Sequence, residues 1–177
     1  LDSLFTTLKP AKPEPASTAE ANPYAMAVDY LSKGLLDRAS AEISRAMARG
    51  GDRGEGLALL GDVFTRQGLF GEALERYREA RGTNGHVPAR ALLGETRALL
   101  VLGRTAEARV VAEELLAIDG TSVEALLLAA SARADEGDPA GALQHLDKAR
   151  RLAPARPDVL QKIGDVARAV GDVEGAI

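Results

Sequence analysis

Five glycines recur at an almost constant step along this chain: Gly34, Gly68, Gly103, Gly137 and Gly171, separated by 34, 35, 34 and 34 residues. Glycine supplies 18 of the 177 residues, so four further hits in step would arise by chance about once in 10⁴. A second series keeps the same step, with Ala39, Ala73, Ala108, Ala142 and Ala176 each five residues after its glycine. Such a period describes a stack of similar units. Each is too small to bury a core alone and is stabilised by packing on its neighbours.

The pattern inside a unit is helical. Leu57, Leu60, Gly61 and Phe64 share one helical face before Gly68. Phe70, Ala73, Leu74, Tyr77 and Ala80 share a face after it, with Glu72 and Arg76 spaced as an i,i+4 pair on the other side. The fourth unit repeats the scheme, with Leu126, Ala129 and Ala130 before Gly137 and Ala142, Leu146 and Ala149 after it. Glycine between the halves closes a helix in the left-handed region at little steric cost. Asn22-Pro23 and Asp138-Pro139 put a capping side chain before a proline at a first helical position, and Thr121 with Glu124 has capping-box spacing. Small residues facing large ones, Gly61 against Tyr77 and Ala130 against Leu146, allow close helix packing. The expected fold is all-α, with two helices per unit.

Composition removes several functions. The chain is 46% hydrophobic and 27% charged, a globular composition. A net charge of -4 with interspersed signs and only 3% aromatic residues excludes nucleic acid as a partner. There is no cysteine, hence no disulfide or thiolate site, and no apolar run approaches the roughly 20 residues that cross a bilayer, so no direct membrane insertion is expected. His86 and His145 stand 59 residues apart without metal-ligand spacing. Asp135-Glu136-Gly137-Asp138 resembles a calcium loop in passing, but its glycine is the periodic turn residue. The glycine-rich run from Gly50 to Gly56 has no strand before it and no Gly-Lys-Ser/Thr after it, and reads as an inter-repeat turn. Glu113-Glu114 reads as solvated helix surface. No serine is matched with a histidine and an acid, so the chain reads as a non-enzyme with no metal and no cofactor.

Leu57, Leu60-Gly61, Phe64, Gly68, Ala73, Tyr77 and Ala80, with Leu152-Ala153-Pro154 in the fourth unit, resemble the signature of the tetratricopeptide-repeat family. The likeness covers about residues 20 to 177, four whole repeats and the start of a fifth. The family's large first-helix residue is Leu57, Leu92, Leu126 and Leu160 here, with Pro23 in the first unit, and Thr96 replaces the usual small residue of the third. The resemblance implies a right-handed α-α superhelix, a solenoid whose first helices line a concave groove. It also implies a scaffold or adaptor that binds a protein or peptide segment in that groove. The Lys and Asn by which one subgroup grips chaperone C-termini are replaced by Tyr24 and Val28, which argues against a heat-shock-chaperone adaptor.

Helical spacing places Tyr24, Val28, Leu59, Asp62, Arg66, Arg90, Leu93, Arg97, Leu127, Leu128 and Ser131 on the groove side, an apolar floor with a basic spot at Arg66, Arg90 and Arg97. A partner segment with a carboxylate would suit that spot. The same spacing also allows Leu59, Leu93 and Leu127 to pack on the adjoining repeat, and the arginines to be satisfied by Asp62 and Glu124.

Residues 1–22 form a separate unit of short amphipathic segment and Pro-rich linker, ahead of a repeat domain at 23–177. In it Leu1, Leu4, Phe5 and Leu8 make the stripe of a short helix that needs a surface to fold against. Two alternatives follow. The segment docks on a neighbouring copy and builds a homo-oligomeric scaffold, or the chain regulates a larger enzyme or membrane-anchored protein. The fifth unit stops early in its second helix, which is the expectation for a fragment of a longer protein. The expected location is the cytoplasm, with the periplasm or an anchor outside this chain as alternatives, and the Ala, Gly, Arg and Leu content suggests a GC-rich bacterium.

Overall fold

The computed structural model describes residues 22–83 and 87–174, with side chains as far as residue 171. These residues form helices and no strand. They are α1 (Ala25–Ser32), α2 (Leu36–Ala48), α3 (Arg53–Arg66), α4 (Phe70–Arg81), α5 (Ala89–Val101), α6 (Thr105–Ile118), α7 (Val123–Asp135), α8 (Pro139–Leu152) and α9 (Pro157–Glu174).

The periodic glycines make the turns. Gly34, Gly68, Gly103 and Gly137 have φ of 72°, 78°, 70° and 82°, a region costly for any side chain. Each donates its N–H to the carbonyl three residues back, closing the preceding helix at 3.0–3.1 Å. Five residues on, Ala39, Ala73, Ala108 and Ala142 are fully buried against the partner helix of the pair. Gly171 departs from the series: α9 runs through it to Glu174, so the turn expected there is not formed.

Helix starts follow the capping chemistry with adjustments. Asp138 accepts from the Gly141 N–H at 2.8 Å ahead of Pro139, as its sequence position requires. The cap of α7 is Ser122, which accepts from the Ala125 N–H at 3.3 Å, rather than Thr121. Thr121 turns back to Asp119 and Glu124 pairs with Arg97, so the capping box is not made. Asn22 holds an Asx turn, its Oδ1 accepting from the Tyr24 N–H at 2.9 Å, and α1 begins only at Ala25. Arg76 pairs with Glu79 at 2.6 Å instead of Glu72.

The glycine-rich run is only partly a turn. Asp52 caps α3 by accepting from the Glu55 N–H at 2.7 Å, which places Gly54 and Gly56 inside the helix. A methyl group on Gly56 would stand 2.7 Å from the Tyr24 hydroxyl and 2.6 Å from Met47 Cγ. Gly56 therefore lets the first repeat close on the second, whereas Gly54 faces Thr83 and the Ala80 carbonyl at the end of α4.

The curvature follows from which helices meet. α3 packs on α5, α5 on α7 and α7 on α9, whereas the second helices of successive pairs make no comparable contact among the described residues. First helices therefore line the inside of the curve and α2, α4, α6 and α8 the outside.

Candidate functional site

The concave side carries a pocket of about 320 Å³ where α1, α3 and α5 converge. It gathers five residues expected there from the sequence, Val28, Asp62, Arg66, Arg90 and Arg97. Leu31, Ser32, Thr65, Tyr77 and Gly94 complete it. Ser32 and Thr65 were legible as neighbours of Val28 and Asp62 one helical turn on. Tyr77 was not, because it comes from the outer helix α4.

The Tyr77 ring passes between Gly61 and Gly94, and a side chain on either glycine would collide with it. That passage brings the hydroxyl to the groove, where it donates to Asp62 Oδ1 at 2.8 Å. With the tyrosine proton so committed, the Thr65 hydroxyl donates to Tyr77 Oη at 3.0 Å. Burial, and then the Asp62 charge, pushes the Tyr77 pKa up from its ordinary value, so the phenol stays a donor. The second Asp62 oxygen accepts from Arg90 Nη1 at 2.8 Å, and Arg90 Nε donates to Glu55 at 2.9 Å. Burial pulls the Arg90 pKa down, but hydrogen bonds and charge from Asp62 and Glu55 outweigh it and leave it raised. Arg97 pairs with Glu124 from α7. Arg66 has no ion pair among the described residues and lies exposed at the pocket edge.

Two expected groove residues lie elsewhere. Leu59 is 0% exposed and packs with Ala27, Leu31, Ile43 and Val63 across the first repeat boundary, because its position on α3 points sideways along the stack. Tyr24 is 2% exposed and donates from its hydroxyl to the Asp52 carbonyl at 2.5 Å, its ring filling the space that Gly51 and Gly56 leave. Leu93 and Leu127 are half-buried and pack against the cores of their own and adjoining repeats, while Leu128 is half-buried. Ser131 donates to the Leu127 carbonyl at 3.0 Å and spends its proton within its own helix. The segment Leu1, Leu4, Phe5 and Leu8, and also His86, lie outside the described residues.

The convex side holds charge that the sequence reading missed. Glu95 is 1% exposed in α5 and accepts from Arg78 Nε at 3.0 Å and Arg81 Nη1 at 2.8 Å, both one repeat earlier. Arg81 also reaches Glu114, and Arg133 reaches Glu113 at 2.9 Å. Glu113 and Glu114 remain on the helix surface, each side chain 39% exposed, and there they also bridge repeats. Arg133 further donates to His145 Nε2 at 3.2 Å and to Asp138 at 2.9 Å. Among the described residues no group of acids and histidines could hold a metal ion, and no helix is long and apolar enough to cross a membrane.

The architecture is that of a solenoid of helix pairs with a concave groove, a class of interaction scaffold. The tetratricopeptide-repeat profile matches residues 24–87, 59–123 and 93–157, well over half of the chain. The chain belongs to the tetratricopeptide-repeat family. No curated protein sequence matched it. Among solved structures it is similar to PilF of Pseudomonas aeruginosa, with TM-score 0.74 and 20% identity over 84% of this chain and 68% of that one. MamA of Desulfovibrio magneticus RS-1 gives TM-score 0.72 and 17% identity over 85% of each chain. The first repeat domain of Spaghetti (RPAP3), solved with the HSP90 peptide SRMEEVD, gives TM-score 0.64 and 16% identity over 67% of this chain and 94% of that one. These likenesses show the fold, an all-α superhelix.

Proposed function

We propose that the chain is a non-catalytic scaffold whose concave face holds a partner protein's segment. The pocket between the first three repeats takes an apolar side chain beside a carboxylate. One observation carries this reading: Asp62 and Arg90 neutralise each other at 2.8 Å, while Arg66 stands beside them without an acidic partner among the described residues. Val28, 38% exposed, gives the apolar wall, with Leu31, 5% exposed, behind it, so a segment placing an acid next to a hydrophobe fits both features. Arg97 adds positive charge that Glu124 only partly occupies, since both remain about half exposed. A protein of the same fold was solved with a short acidic peptide, which supports a peptide as the kind of ligand. The presence of Tyr24 and Val28 points away from chaperone C-termini.

Selection of a displayed peptide library on the chain tests the reading. Wild type should enrich sequences with an acid adjacent to an apolar residue, and Arg66→Glu should lose them while keeping its helical circular dichroism. The same enriched sequences on both proteins would move the interface off this pocket.

A further inference from the structure

The paired and unpaired charges of the concave face fall on different rows. Helix α5 ties its neighbours together there, with Arg90 bound to Glu55 and Asp62 of α3 and Arg97 bound to Glu124 of α7. One helical turn beyond Asp62, Arg97 and Ser131, the last residues of α3, α5 and α7 are Arg66, Val101 and Asp135. These are equivalent positions, each two residues before a turn glycine, Gly68, Gly103 or Gly137. Val101 continues the stripe of Arg90, Gly94 and Arg97 that lines the groove pocket, and Asp135 continues that of Glu124, Leu128 and Ser131. Among the described residues this row is unsatisfied: Val101 is 60% exposed, and Arg66 and Asp135 are exposed without an ion pair. We infer that the row is the track of a partner segment in polyproline II conformation, carrying an acid, an apolar residue and a base at every third position. The inference rests on the groove reading above and adds the segment's conformation, spacing and charge order.

Spacing selects the conformation. The first helices pack directly on one another, α3 on α5 and α5 on α7, and packed helices lie about 8–10 Å apart. A polyproline II segment returns a side chain to the same face every three residues and rises about 3.1 Å per residue, hence roughly 9 Å per step. A β-strand returns to the same face after about 7 Å and falls out of step. An α-helix needs seven residues to advance that far, and its side chains at i+3 and i+4 have no counterpart in a single row. Charge sets the order, with an acid over Arg66, an apolar side chain on Val101 and a base over Asp135. Asp135 ends α7, where the terminal carbonyls add negative potential, so a cation is favoured there. Each contact is weak on an exposed surface, and a segment already in polyproline II conformation loses little freedom on docking.

The probe is the peptide Glu-Pro-Pro-Leu-Pro-Pro-Lys, capped at both ends and titrated into the isotope-labelled chain by NMR. Amide shifts should centre on Arg66, Val101 and Asp135. Val101→Ser should weaken the peptide by at least about threefold, since its apolar contact is lost. Wild type should prefer this peptide about threefold over the same peptide ending in Glu, and Asp135→Lys should reverse that preference. The shorter Glu-Pro-Leu-Pro-Lys, with the same groups two residues apart, should bind at least about threefold more weakly. All three positions are exposed, so the variants should keep their helical circular dichroism. No saturable shift with the peptide in the millimolar range, equal affinity for the two spacings, or an unreversed preference in Asp135→Lys overturns the inference. Peptides enriched by library selection separate the two readings. Loss with Arg66→Glu but indifference to Val101→Ser and Asp135→Lys leaves the groove reading standing and removes this one, whereas indifference to all three removes both.

Discussion

The Tyr77 ring lies between two glycines from different repeats, Gly61 in its own and Gly94 in the next. Half of this was legible. Gly61 and Tyr77 stand in the small-against-large positions of one helix pair, and their contact follows from spacing alone. Gly94 does not: it aligns with Leu59 and Leu128, positions that look along the stack, and what they meet depends on the angle between repeats. The same dependence decides Leu59, placed on the groove face with packing on the adjoining repeat as the alternative, and it is the alternative that the structure shows. Gly94→Ala should therefore destabilise the protein by about 1–3 kcal/mol, since the new methyl would stand 2.7 Å from Tyr77 Cε2 and Gly61 lies close behind the ring. Gly71→Ala is the opposing control, because a methyl there meets nothing within 4 Å and should stabilise by about 0.5 kcal/mol through helix propensity. Urea denaturation of the two variants checks the signs.

Helix α5 carries an acid where its counterparts place Leu60 and Ala129, so Glu95 buries a charge at an apolar position. The signal lay in the sequence as an acid out of register with arginines 14 and 17 residues before it, but only the packing of α4 on α5 shows that they meet. The energetics are lopsided. Glu95→Leu should be near neutral, because Arg78 and Arg81 keep Glu107 and Glu114 as partners near solvent. Removing both arginines leaves an unpaired buried carboxylate, and Arg78→Ala/Arg81→Ala should cost about 3–5 kcal/mol by the same denaturation assay. On α8, burial and then the charge of Arg133 lower the His145 pKa from 6.5. The folded state thus favours neutral imidazole. This contribution is complete above the unfolded value of about 6.5 and is lost as pH falls below it. Wild type should lose stability between pH 7.5 and 5.5 more steeply than His145→Gln, measured as urea midpoints. Parallel losses would show that His145 is not the group responsible.

At the scale of the molecule, the period marked the turns at Gly34, Gly68, Gly103 and Gly137 but not at Gly171, where α9 runs on, while the joints between units came only from the structure. Tyr24 seals the first repeat to the second, Tyr77 and Glu95 the second to the third, and Arg109 with Glu136 and Arg133 with Glu113 the third to the fourth. Each joint involves nearest neighbours, so stability should behave as a sum of unit and joint terms rather than as one indivisible core. Loss of one joint then has a local consequence. In Arg78→Ala/Arg81→Ala, amide exchange followed by mass spectrometry should quicken most in α4 and α5, which flank the broken joint. α1 and α2 should keep nearly wild-type protection, because the Tyr24–Asp52 bond and the Leu59 cluster stay intact between them and the change. A uniform rise in exchange from α1 to α8 would mean that the repeats unfold only together. The groove would then have to open and close as one rigid surface, instead of repeat by repeat as a partner segment enters.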